Sequence, residues 1–445
     1  MNPDIDRKMV SFQANKKENG YRWFKYKEGF SAALMRYVFE MTGVKSGLIL
    51  DPFAGAGTAL FTAADLGIDA DGIELLPVCA EIIEVRKLIF DCTDKHALAH
   101  NINTFIASRS WEKKGQTFSF PHLRITQGAF SQKTEYQLGR YLCEADRFAD
   151  PSVQKILRFA ALCVLEEISF TRKDGQYLRW DTRSGRRNGK KPFNKGYIPR
   201  FTEAITRKLE EMMNDLINQK TLFDSINVSP SRRGKIKLYR GSCLEILPKL
   251  KASTYDALVT SPPYCNRYDY TRTYALELAM LGVNESSIKD LRQTMLSCTV
   301  ENREKSNLDM LLGKELLKKG LAAYEEQNLL HRILVYLERC KENRLLNNDG
   351  IPRMVRNYFL EMSLVIAAAA RVLKRNAPFV MVNDSVRYQG VHIPVDLILS
   401  DIAEKLGFST EMIWVLPKGK GNSSQQMGLH GRQELRKCVY VWRRL

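Results

Sequence analysis

The chain has 445 residues, with 68 Lys and Arg against 50 Asp and Glu, a formal net charge of +18. Its 44% hydrophobic content is enough for a packed core and excludes global disorder, and the length suits two or three units or one domain with large insertions. The apolar run Leu364 to Ala370 falls far short of the ~20 residues of a membrane span, and the polar start MNPDIDRKMVSFQANKKENG lacks a signal core, so a cytoplasmic protein with no membrane association is expected.

The first predicted element is a short strand, Gly47 to Asp51, followed by a glycine-rich turn, Phe53–Thr58, and a helix from Ala59 to Leu66. Ala70 to Leu75 reads as the next strand and Leu76 to Phe90 as a helix. From about Thr93 to Gly234 the alternation stops: helices are expected at Val153–Ile168 and Arg200–Gln219, with a loop from Thr171 to Pro199 between them. It resumes with strands at Lys235–Tyr239 and Asp256–Thr260 around a helix at Ser242–Leu250. A helical, charged segment near Asn284–Ile351 interrupts it again. Then come a helix at Tyr358–Leu373, a strand at Phe379–Asn383, a helix at Pro394–Leu406, and strands at Met412–Leu416 and Cys438–Trp442. This order predicts an α/β fold with a mainly parallel, Rossmann-like sheet and helices on both faces. Residues 1–92, 235–283 and 352–445 would form the core, with insertions at 93–234 and 284–351. The nine cysteines include no CxxC pair, so neither a metal site nor a disulfide framework is expected.

Two motifs carry chemistry. The first is Asp51-Pro-Phe-Ala-Gly-Ala-Gly-Thr58, between a strand and a helix. Gly55 and Gly57 allow a tight turn and a close backbone approach to a ligand. A phosphate-binding loop would need a lysine that is absent, and the dinucleotide pattern fails at Leu60, where its third glycine belongs. Methyl-donor sites use the same turn without a pyrophosphate. Glu74, 19 positions after Gly55, ends the second strand where a carboxylate can accept both ribose hydroxyls of an adenosine. An ordinary strand–helix turn beside a surface acid is the plainer alternative.

The second motif is Thr260-Ser-Pro-Pro-Tyr264, after a strand. Two prolines fix the backbone and remove donors, leaving carbonyls free to accept from an amino group. Ser261 adds an acceptor and Tyr264 a ring on which a base can stack. A rigid turn with a packed tyrosine is the plainer alternative here too.

DPFAGAGT and TSPPY together resemble the first and fourth motifs of the amino-group DNA methyltransferases that use S-adenosylmethionine. The likeness extends to Trp23–Ser31, similar to the segment lining the methionine end of the cofactor, to Arg240–Leu247 and to the closing strand Arg436–Arg444. It covers roughly half the chain. The resemblance implies cofactor contacts from Phe30, Ser31, Asp51, Pro52, Phe53, Ala54, Gly55, Gly57, Thr58, Glu74 and Ser242, and a catalytic turn of Ser261, Pro262, Pro263 and Tyr264. Ser242 departs from many relatives, which carry an acid there to meet the adenine ring, and the two motifs stand in the order opposite to many TSPPY-bearing relatives. The implied reaction is methylation of a flipped base's exocyclic amine in double-stranded DNA, without a covalent intermediate. Serine before Pro-Pro-Tyr favours cytosine N4 over adenine N6. Cytosine C5 chemistry would need a nucleophilic Cys265 directly after proline, and Tyr264 intervenes. Nucleoid association and a cognate restriction endonuclease as partner belong to the same expectation.

Between Arg172 and Arg200 lie ten basic residues and two acids, interleaved with aromatics. Beside a methylase core this stretch reads as a DNA surface, with Arg172, Lys173, Tyr177, Arg179, Trp180, Arg186, Arg187, Lys190 and Lys191 as contacts. A solvated charged loop is the plainer reading. An RNA base methylase and a non-catalytic nucleic-acid-binding subunit are the rival functions.

Overall fold

The computed structural model describes residues 5–6, 8–174, 177–186, 192–217, 232–416 and 435–445. In chain order its strands are β1 Leu48–Asp51, β2 Asp69–Glu74, β3 Thr171–Asp174, β4 Tyr177–Trp180, β5 Ile236–Arg240, β6 Ala257–Thr260, β7 Pro378–Asp384, β8 Val386–Tyr388, β9 Val391–Ile393, β10 Phe408–Val415 and β11 Lys437–Arg444. Among the described residues, seven of them form one sheet in the order β10-β11-β7-β6-β1-β2-β5. β11 runs antiparallel to both its neighbours, and the remaining pairs are parallel.

Alternation along each strand explains why both faces are covered. Ile49, Ala257, Val259, Val380, Val382, Val439 and Val441 point to one side, where helices Ala32–Thr42 and Thr58–Asp65 pack. Leu50, Leu258, Phe379, Met381, Tyr440 and Trp442 point to the other, against helices Ile351–Val372 and Val395–Lys405. The chain therefore has the expected Rossmann-like α/β architecture. The seven strands of this sheet begin and end within a few residues of the sequence reading, whereas the short antiparallel pair β8–β9 was not expected.

The stretch between β2 and β5 contributes helices Lys95–Ser108, Gln132–Asp146, Pro151–Ile168 and Phe201–Ile217. They share an apolar cluster with Trp23, Phe24 and Tyr26 of the N-terminal segment. The loop expected over Thr171–Pro199 is corrected in part: β3 and β4 form an antiparallel hairpin in register Thr171↔Trp180 and Arg172↔Arg179. Short strands rich in charge hide the period-two pattern from a reading of the sequence.

β1 and β6 are parallel neighbours, with Leu50 opposite Leu258. From β1 the sheet grows through β2 to β5 on one side and through β6 to β7 on the other. Loops leaving the carboxyl ends of β1 and β6 diverge at this reversal, which is where open α/β sheets form a crevice.

Candidate active site

The glycine loop leaves β1 at Asp51. Gly55 has φ +54, and a Cβ there would lie 3.0 Å from the Tyr26 ring. The loop is held from three sides. Glu74, at the end of β2, accepts the Gly55 N–H at 2.6 Å and the Leu76 N–H at 2.7 Å. Arg86 donates to the Ala56 carbonyl at 2.9 Å. Asp51 accepts the Phe53 N–H at 3.0 Å and the Thr260 hydroxyl at 2.6 Å, which ties the first motif to the strand carrying the second. Burial pushes the Asp51 carboxyl up to about 7 and the Glu74 carboxyl up to about 8, against the pull of those hydrogen bonds.

The two motifs open onto one cleft of about 780 Å³. Phe30, Asp51, Pro52, Phe53, Ala54, Gly55, Thr58 and Glu74 line it from the first motif and its surroundings, Ser242 from the end of β5, and Ser261 and Pro263 from the second motif. Tyr264 stands in the same turn, where its hydroxyl accepts from the Ser261 hydroxyl at 3.1 Å. Burial pushes the Tyr264 phenol up, and Lys437, 5.6 Å from its ring centroid, opposes that shift. Cys265 is fully buried and its thiol is pushed well up, the wrong state for a nucleophile.

Two expected cofactor contacts have another task. Ser31 caps helix Ala32–Thr42: its hydroxyl accepts the Leu34 N–H at 3.2 Å and donates to the Met9 carbonyl at 2.6 Å. Gly57 does not line the cleft. It opens the following helix at φ +77, and a Cβ there would lie 2.9 Å from Ile83 and 3.0 Å from Phe61.

The sequence reading missed Tyr26, Glu28, Cys243, Tyr270, Met295 and Leu296, all of which line the cleft. Glu28 accepts hydrogen bonds from the hydroxyls of Tyr268 and Tyr274. It sits inside the Trp23–Ser31 resemblance, which was the available signal. Met295 and Leu296 gave none, because they come from the second insertion.

The basic stretch divides by strand parity. Arg172 and Arg179 face each other across the hairpin, and both guanidinium groups lie over Phe193, at 5.4 and 4.3 Å. Tyr177 is 53% exposed. Lys173 and Trp180 face inward instead, which corrects their expected place on a DNA surface: both are buried, and Lys173 pairs with buried Glu277 at 2.5 Å. Arg186 is tied down as well, stacking on Trp180 at 4.1 Å and donating to the carbonyls of Arg124 and Ile125. Lys195 caps helix Pro151–Ile168 by donating to the Glu167 and Ser169 carbonyls. Arg187, Lys190 and Lys191 lie outside the described residues.

No helix among the described residues is long and apolar enough to cross a membrane. No protein-family model matches the chain. Proteins named Type II methyltransferase M.AvaI, from Nostoc sp. (strain PCC 7120) and from Anabaena variabilis, are each 51% identical to it over 445 residues, spanning 100% of this chain and 90% of their own. Type II methyltransferase M.BsoBI from Geobacillus stearothermophilus is 41% identical over 463 residues, spanning 98% of this chain and 88% of its own. The chain belongs to the Type II methyltransferase family that these proteins represent.

Proposed function

We propose that the chain methylates the exocyclic amine of a base in double-stranded DNA, most readily cytosine N4, with S-adenosylmethionine as donor and as the modification partner of a restriction endonuclease. The observation that carries this reading is the shared cleft, lined both by residues of the Asp51–Thr58 loop and by Ser261 and Pro263 of the second motif. The lining fits the donor. Among the described residues it contains three carboxyl groups, Glu28, Asp51 and Glu74, but no Lys or Arg. That balance suits a nucleoside carrying positive charge and disfavours a phosphate.

When bound, S-adenosylmethionine supplies an electrophilic sulfonium methyl group. Glu74 would take the ribose hydroxyls and Gly55 would let the ligand approach the backbone. The amine of cytosine is a weak nucleophile because its lone pair is delocalised into the ring. The Ser261 hydroxyl and the Pro262 carbonyl would accept its two N–H groups, favouring a pyramidal nitrogen with the lone pair free. The Tyr264 ring is the surface on which the flipped base stacks. For this the Ser261–Tyr264 hydrogen bond has to open, which the single 3.1 Å contact allows. Exposed Arg172 and Tyr177, with half-buried Arg179 paired to Asp174, offer the phosphate-contacting surface.

Incubation with duplex DNA and labelled S-adenosylmethionine, followed by nucleoside analysis, tests the reading. N4-methylcytosine at a fixed sequence is expected. N6-methyladenine would overturn the base assignment, and label confined to RNA would overturn the substrate.

A further inference from the structure

Strand order fixes which way a ligand lies in this cleft. The lining runs along the carboxyl ends of four adjacent strands, from Ser261 after β6, past Asp51 of β1 and Glu74 of β2, to Gly241, Ser242 and Cys243 after β5. A methyl donor must present its sulfonium beside Ser261. With its ribose at Glu74, its purine then reaches the β5 end.

That end has two features. Among the described residues, the acids lining the cleft, Glu28, Asp51 and Glu74, lie on other segments, and the residue after Gly241 is a serine. Ser242 meets the second insertion, its hydroxyl 3.5 Å from the Thr294 carbonyl, and the next two residues, Met295 and Leu296, enter the cleft wall. The loop that carries them is fastened to the core. Lys305 donates to the Met295 carbonyl at 2.9 Å and pairs with Glu361 at 2.7 Å. Glu361 in turn accepts the Ser297 N–H at 2.8 Å and the Ser297 hydroxyl at 2.6 Å. Lys305 and Glu361 are both almost fully buried, so the wall is built before any ligand arrives.

We infer that the second insertion completes the cofactor site: Met295 and Leu296 form an apolar wall against the purine of the methyl donor, which is held by its flat faces and not through its amino edge. The inference rests on the proposed cofactor. A carboxylate facing the purine amino group would enforce that group, because replacing a donor by an acceptor leaves the acid opposed and unpaired. An apolar wall with a neutral serine makes no such demand. Met295 is half-buried and its side chain is free to be shortened, whereas Leu296 is embedded in the core.

Calorimetry with S-adenosylhomocysteine and with its 6-oxo counterpart, S-inosylhomocysteine, tests this on the intact protein. The wild type should bind the two within about threefold of each other. Met295→Ala should weaken both by about fivefold because less apolar surface meets the purine, with its melting temperature kept, and Met295→Leu should restore binding. Ser242→Asp should create a preference of roughly tenfold for the amino form. A wild type that already prefers the amino form by roughly tenfold or more would overturn the inference, as would Met295→Ala binding like wild type. Should Met295→Ala fail to fold, the analogue comparison on the wild type decides alone. A wild type that binds neither ligand would overturn the cofactor reading itself, a result distinct from either.

Discussion

In the proposed reaction the chemistry would turn on Ser261, which lies at the cleft wall with its hydroxyl one hydrogen bond from Tyr264. Ser261→Ala should lower kcat by about a hundredfold while the dissociation constant of S-adenosylmethionine stays close to wild type, since the loss falls on the reacting amine. Asp51 and Glu74 predict a pH dependence. Burial raises their carboxyls from 3.8 and 4.5 to about 7 and about 8, so the folded protein holds protons that the unfolded chain has already released. Stability of the ligand-free protein should fall as pH rises through that window, and Glu74→Gln should flatten part of the fall in a series of thermal melts. Affinity for the cationic donor should move the opposite way, tightening as the two carboxylates ionise. The place of these residues at the cleft was legible in the sequence because each ends a strand or opens a turn. Ser31 and Gly57 stand beside the cleft and not in its wall: positions next to a ligand loop also cap helices and admit neighbours, and spacing does not separate the two tasks.

At the scale of elements, the β3–β4 hairpin joins an outward basic face to an inward ion pair. Substituting Arg172 and Arg179 by Gln should weaken DNA binding and reduce the salt slope by about 0.9 for each phosphate no longer neutralised, measured by titration at several ionic strengths. Lys173→Met should act on stability instead. It leaves Glu277 buried and without its partner, at a cost of about 3–5 kcal/mol in denaturant unfolding, and Lys173→Met with Glu277→Leu should recover most of it. The hairpin escaped the sequence reading because its eight residues hold four charges, and the burial of Lys173 depends on Phe24, Tyr274 and Glu277, which approach from distant parts of the chain. Helices Lys95–Ser108 and Gln132–Asp146 were missed for a related reason, since weak periodicity blurs the buried stripe in the first and polar residues dominate the second.

Across the molecule, the sheet was legible because its interior strands are short apolar runs with glycine or charge at their borders, such as Ala257–Thr260 and Pro378–Asp384. What the sequence could not disclose was which inserted segment returns to the sheet. β2 and β5 lie side by side although the whole first insertion separates them, and Met295 reaches the cleft from the second. Both depend on distant packing, which local pattern does not encode.

The position of Lys437–Arg444 has one further consequence. β11 is not an edge but a filler between two others, so β10 gains its sheet neighbour only when this later stretch of chain arrives. During synthesis the sheet must wait, with an open slot between β7 and β10, until Lys437–Arg444 has cleared the ribosome. A copy broken off before that point would keep two raw edges, on β7 and on β10, each a template for sticking to a stranger.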